Sequence, residues 1–323
     1  MVSCSTLKLL ALGATACLGT ASLAWQKYEK KDYVRSGIPR RRAMIDAARA
    51  LNRGSGLLAL SVLLDSGLEH YRGGFKNRAM YTPLALSSLS LLANGHGLQD
   101  ETPTAHRVRN PVYLGTALTG LIGTGFHLHN VTKRPGRFSW SNLFYAAPLG
   151  APAALVLSGV LGYYSERVRD AAEMSVPRVL GLPAGKAVAV MAAAGLLGTT
   201  AEAALLHFRG SFQNPSMYIP VTAPPLAAAL LAVTAAAGPA YPRLRGLSKF
   251  WLRFTTLMGM AGVGFHALGI ARNHKGWRNW KQNLQVGPPL PAPPSFTGLS
   301  LAGLAAHTLL DEEQALERYR WWT

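Results

Sequence analysis

The sequence predicts an all-α integral membrane protein: eight core transmembrane helices as two tandem parallel four-helix repeats, four hairpins in all, behind an N-terminal anchor helix. Three observations carry that expectation. Apolar stretches recur along the chain at near span length, the residue usage is poor in charge, and two long motifs repeat at almost one offset. Of the 323 residues 49% are hydrophobic and only 15% charged, against about a quarter charged in a soluble protein. In hydrocarbon only helices or closed barrels satisfy the backbone, and segments of this length without hairpin chemistry favour helices.

The first stretch, within residues 1–25, has Lys8 before an apolar centre and Ser22-x-Ala24 after it, the pattern of a secretory leader. Residues 26–53 carry nine Lys and Arg, among them Arg40, Arg41 and Arg42. Such a cluster resists translocation, so an uncleaved signal-anchor followed by a basic cytoplasmic segment is the better reading. The first four-helix repeat then takes residues 54–165, a linker 166–185, the second repeat 186–310, and an amphipathic tail 311–323, whose Trp321 and Trp322 suit a membrane interface. Apolar cores fall near 54–70, 80–95, 112–129, 143–164, 186–207, 218–238, 252–270 and 294–310.

The formal charge of +18 does not point to nucleic acid, because Lys and Arg lie between apolar runs rather than along one face. They favour the loops that alternate counting assigns to the inside, as in a bacterial-type inner membrane. The two cysteines, Cys4 and Cys17, exclude a disulfide framework and cysteine-ligated iron–sulfur or zinc.

Shifting the chain by 137 residues sets DSGLEHYRGGFKNRAMYTP (65–83) against EAALLHFRGSFQNPSMYIP (202–220), with nine of 19 positions identical. A shift of 139 sets GLIGTGFH (120–127) against GMAGVGFH (259–266), with five of eight identical. Two matches at nearly one offset imply a repeated four-helix block. Four is even, so both copies insert the same way up, related by an axis along the membrane normal. A Pro-x-x-x-Pro spacing also recurs at Pro148/Pro152, Pro220/Pro224 and Pro289/Pro293, whereas the first hairpin has Pro83 but Ser87.

The repeated histidines are the sharpest chemical signal. His70, His127, His207 and His266 each stand near the outer end of the first helix of a hairpin. Four imidazoles at one depth can converge on a transition metal such as Fe, Cu or Zn, or each can simply cap its own helix. The Gly-x-Gly-Phe-His context of His127 and His266 leaves room for haem b with the imidazole as axial ligand; ordinary close helix packing is the commoner use of such glycines. Asp65 and Glu202 are equivalent acids, five residues before His70 and His207. That spacing puts acid and imidazole on different faces, so the acids read as supporting groups, relay members or halves of a structural ion pair.

In the loops, Gly73 and Gly210 suit a left-handed turn, Asn77 and Asn214 a helix cap, and Arg72 and Arg209 an anion, lipid headgroup or carboxylate. His96, His106 and His307 stand outside the repeat and read as structural. Together these features favour a His-rich metal or haem site, redox in nature, on the outer side of a multi-pass membrane protein. The alternatives are a small-solute transporter or channel, or a non-catalytic subunit that docks a membrane or periplasmic partner.

Overall fold

The computed structural model describes residues 41–100, 106–145, 148–171, 177–179, 181–237 and 241–322. The expected anchor, with Cys4 and Cys17, and most of the basic segment lie outside the described residues. The protein is 86% helical and all-α. In chain order it forms α1 (Arg41–Arg72), a 3-10 turn (Arg78–Tyr81), α2 (Thr82–Gln99), α3 (His106–Thr132), a short α4 (Trp140–Tyr145) and α5 (Gly150–Arg169). A two-residue pair follows, β1 (Arg178–Val179) antiparallel to β2 (Leu182–Pro183). Then come α6 (Ala184–Arg209), a 3-10 turn (Pro215–Tyr218), α7 (Ile219–Ala237), α8 (Pro242–Arg272), a 3-10 turn (Gly276–Asn279), α9 (Trp280–Val286) and α10 (Pro293–Trp322).

Each apolar stretch from residue 54 onward contains a long helix, with three shifts of boundary. Helix α1 starts at Arg41 and absorbs the end of the basic segment. The stretch at 143–164 breaks into α4 and α5, and Pro148 between them has no backbone donor with which to continue a helix. Helix α10 runs without interruption through the expected tail to Trp322.

Helices α1, α2, α3 and α5 pack in a closed ring, and so do α6, α7, α8 and α10. The rings join chiefly where α10 lies along α1, and much less where α5 meets α6. The α1–α10 crossing is made by glycine: a Cβ on Gly54 would sit 2.6 Å from the carbonyl oxygen of Gly298, and one on Gly298 would sit 2.7 Å from that of Gly54. Leu51, Leu58, Leu196, Leu231, Leu252, Leu299 and Leu309 fill the core with a bed of alanines between them.

The outward faces are apolar as well. Leu121 and Phe126 on α3, with Met260 and Phe265 on α8, are each about 60% exposed. Among the described residues three helical segments are long and apolar enough to cross a membrane, at Ala184–Arg209, Pro215–Ala237 and Pro242–Arg272. All three lie in the second half of the chain. The first half's helices carry polar side chains in their cores, gathered toward the end of the bundle where α1 begins.

Candidate functional site

All four repeated histidines hold the same kind of contact. Each ring meets a backbone carbonyl through Nδ1: His70 to Met80 (2.7 Å), His207 to Met217 (2.8 Å), His266 to Pro289 (2.7 Å), and His127 to Pro148. A carbonyl only accepts, so Nδ1 carries the proton and donates it, leaving the Nε2 lone pair free. Each bond latches the end of one helix to the start of the next. His70 lies near His127, and His207 near His266. The four rings are therefore placed two and two, one pair in each half. Among the described residues no group of three or more His, Cys, Asp or Glu side chains is placed to hold a metal ion.

The glycines beside His127 and His266 are occupied by packing. A Cβ on Gly123 would touch the Pro152 ring at 3.4 Å, and one on Gly262 the Pro293 ring at 2.9 Å. These glycines lie one turn before the histidines, on the same face, where a haem plane would have to lie. Close helix contact uses that space.

The two loops of the long motif share one geometry. Helices α1 and α6 end in Schellman motifs: the N–H groups of Phe75 and Phe212 donate to the carbonyls of His70 and His207, both at 3.0 Å. The left-handed residues are Gly74 (φ 71°) and Phe75 (φ 46°) in one loop, and Ser211 (φ 57°) and Phe212 (φ 45°) in the other. This corrects the expectation for Gly73 and Gly210, which precede the turn. They are small because the methyl ends of Met80 and Met217 lie over them. Positive φ at phenylalanine is costly, and each ring is held there by stacking on a tyrosine: Phe75 on Tyr81 at 4.4 Å, Phe212 on Tyr218 at 4.6 Å. Asn77 and Asn214 cap the following 3-10 turns, accepting from Ala79 and Ser216.

Arg72 and Arg209 do not behave alike. Arg72 pairs with Glu69 at 2.5 Å, whereas Arg209 lies over the Tyr145 ring, 5.1 Å from its centre. Sequence reasoning missed the second loop clamp of each half. There Asn142 Nδ2 donates to the Pro135 and Arg137 carbonyls, and Asn283 Nδ2 to those of His274 and Gly276.

Asp65 and Glu202 are brought close enough for the charge of one to act on the other. Glu202 lies against Gly150, the first residue of α5, so its carboxylate sits at a helix N-terminus of the other half. Asp65 is one turn beyond Ser61, which bonds Ser295 (2.8 Å) and the Pro291 carbonyl at the start of α10. The base whose charge reaches Asp65 is Arg72, already engaged by Glu69.

The opposite end of the first ring holds residues that sequence reasoning passed over. Arg109 donates to both oxygens of Glu166 (3.0 and 2.7 Å), to Asp100 (2.9 Å) and to the His96 ring (2.8 Å). Arg169 reaches the same Glu166 (2.7 Å), the Asn52 amide oxygen (2.8 Å) and the Gly97 carbonyl (2.8 Å). Asn52 continues inward to Asn94, Tyr113 and Ser165, and Asn94 to Ser55. Burial alone would lower the pKa of Arg109, but the hydrogen bonds and charges of Glu166 and Asp100 outweigh it and hold the guanidinium above its ordinary value. A sequence signal for this network existed. Extending the 137 and 139 offsets puts Asn52 opposite Ala189, Asn94 opposite Leu231, Arg109 opposite Ser248 and Tyr113 opposite Leu252. No family model, curated protein or solved structure matches the chain.

Proposed function

We propose that the chain is a multi-pass membrane protein of two parallel four-helix repeats, in a bacterial-type inner membrane, and that it moves a cation or proton-coupled solute through a site shared by Asp65 and Glu202. The observation that carries this reading is an uncompensated pair of acids. Equivalent positions in the two halves bring Asp65 near enough for its charge to act on Glu202, and neither makes an ion pair with a base among the described residues. An acid at membrane depth marks an ion or proton path by default. Two like charges near each other, away from water, call for a bound cation or a shared proton. The inner network needs neither, since its two arginines balance Glu166 and Asp100. The weak contact between α5 and α6 supplies a seam along which the two halves can separate.

The test uses purified protein in liposomes and the hydrophobic reagent dicyclohexylcarbodiimide, which adds to protonated carboxyls in apolar surroundings. Labelling is expected at Glu202 or Asp65, with protection by the coupled cation. Asp65→Asn and Glu202→Gln should each abolish both labelling and proton flux down an imposed gradient. Protein that carries no label at either acid, and whose flux is unchanged in both variants, would sink the reading.

A second reading is favoured by the histidine tautomer. A ring that donates Nδ1–H to a carbonyl presents Nε2 as metal-ligating histidines do, so the pairs His70/His127 and His207/His266 would each hold a transition metal as two half-sites. Haem b would need a seat other than the one that Pro152 and Pro293 fill. Metal analysis with an absorption spectrum decides it: metal lost on His70→Ala and His127→Ala together, or on His207→Ala and His266→Ala together, supports this reading, and a metal-free protein that cannot be loaded removes it.

A further inference from the structure

The two rings share a framework but differ in what fills it. Align α5 with α10 through Pro148/Pro289 and Pro152/Pro293. Then Ser158 falls opposite Leu299, Ser165 opposite Ala306, Glu166 opposite His307 and Arg169 opposite Leu310. The alignment holds in space: Gly162 faces the Tyr113 ring, and Gly303 faces Leu252, the residue equivalent to Tyr113. Where Arg109 grips Glu166 in the first ring, Ser248 meets His307 at 2.9 Å in the second. At most of these positions the second ring closes on leucine and alanine, with Ser248 and His307 bonded to each other, so the first ring's amides are not required for packing.

Those groups form a column. Its mouth is the partly exposed Asp100 beside the exposed His96, at the end of the bundle where α1 begins with Arg41 and Arg42. Behind the mouth stand Arg109, Glu166 and Arg169, then Asn52, Asn94, Tyr113 and Ser165, then Ser55, Ser90 and Ser158. Glu166 and all seven residues from Asn52 inward are essentially fully buried. Beyond Ser90, one turn farther on the same face of α2, stands Ser87, wholly buried and with no hydrogen-bond partner for its hydroxyl among the described residues. The other three hairpins have proline at that place, Pro152, Pro224 and Pro293. An orphan hydroxyl in an apolar core is costly unless water or a ligand reaches it. Ser300, the orphan hydroxyl of the second ring, has Phe296, Gly303 and Leu304 along its face of α10 and continues no such column.

We infer that the polar core of the first ring is an access path from the inner aqueous side for water and small uncharged hydrogen-bonding solutes, closed in this conformation by the Arg109–Glu166–Arg169 ion cluster acting as a gate. Hydroxyls and carboxamides line the path beyond the gate, which suits a neutral solute that exchanges hydrogen bonds with water. With Asp100 at the mouth, the two arginines of the gate meet two carboxylates, so it closes without a bound ion. The inference stands apart from the acid pair: it names a different end of the molecule and one half only.

The experiment places single cysteines on α2 and its counterpart α7, in protein lacking Cys4 and Cys17. Ser90→Cys reports on the column and Ala227→Cys, its equivalent, on the apolar ring. A sulfonate-bearing thiosulfonate is added to one side of sealed vesicles at a time. With the gate intact Ser90→Cys should react slowly. Glu166→Gln, and the milder rim variant Asp100→Asn, should speed its labelling ~10-fold or more from the inner side alone, with Ala227→Cys unchanged. Equal rates with and without the gate substitutions would overturn the proposal. So would acceleration from both sides, or at Ala227→Cys as well, since either result means general loosening of the fold.

Discussion

The first ring's core and the second ring's core occupy matching helices, yet one is a network of charges and amides and the other is mostly leucine and alanine, with the Ser248–His307 bond and the ion pairs of Asp311 with Arg245 and Lys249 at the same end. Asn94 stands where the second ring has Leu231, Tyr113 where it has Leu252, and Ser158 where it has Leu299. The apolar ring works as an internal control. It shows that the helix spacing, the glycine contacts of Gly162 and Gly303, and the latched loops persist without the network. A buried ion cluster is seldom the most stable filling for a core, because desolvation offsets most of its Coulomb gain. The difference therefore separates what holds the framework from what the framework is used for. It also fits the placing of the three long apolar helices of the described residues in the second half.

The largest test of this contrast removes one charge. Glu166→Ala leaves Arg169 buried without a counter-charge and Arg109 with Asp100 alone, and should cost about 3–5 kcal/mol. His307→Ala, at the equivalent place, loses one hydrogen bond to Ser248 and should cost only about 1–2 kcal/mol with the small cavity included. Thermal unfolding in detergent, read side by side, would break the comparison if both variants fell equally.

A second test transplants the apolar core. Replacing Asn52, Asn94, Arg109, Tyr113, Ser158, Ser165, Glu166 and Arg169 together by the second ring's Ala, Leu, Ser, Leu, Leu, Ala, His and Leu should leave stability level or raise it by about 1–4 kcal/mol. The same protein should lose inner-side access to the column. Unfolded transplant protein would mean that the network specifies the fold of the first ring.

Smaller effects sharpen the comparison at the loops, where the halves agree. Asn77→Ala and Asn214→Ala should each cost about 1 kcal/mol, since each caps one 3-10 turn in the same way. The turn residue differs, and the sign of its substitution should differ with it. Gly74→Ala should destabilise by about 1 kcal/mol and Ser211→Gly should stabilise by up to about the same amount, because only glycine takes a left-handed φ without steric cost. Matched melting curves check both pairs, and a stabilising Gly74→Ala would contradict the turn geometry.

Much of the helical framework was legible because apolar length and a repeated motif are strong signals. The capping asparagines were legible too, since Asn followed two residues on by an unpaired N–H is local chemistry. The glycine of the turn was misplaced by one because Gly73 and Gly210 are the identical pair, whereas the left-handed position holds Gly74 in one copy and Ser211 in the other. The histidine positions stood out in the sequence, but their two-and-two placement depends on how the hairpins pack. The polar network was missed for the opposite reason to the loops: its residues are spread over four helices, and they differ between the copies, so a search for identity passes over them. Glu166 and Arg109 are 57 residues apart in sequence and meet only when α3 and α5 close the ring.

The meeting of Gly54 with Gly298 ties the order of assembly to the order of synthesis. Helix α1 is made first among the described elements, and the face that carries Gly54 is covered by α10, which is made last. While the ribosome works through the intervening helices, that face stays open to lipid or to an insertion factor. The bundle closes only when its final helix arrives. Loss of α10 would thus strip the opening helix of the first ring along with the second ring's own wall, so a break near the carboxyl end is felt at the amino end.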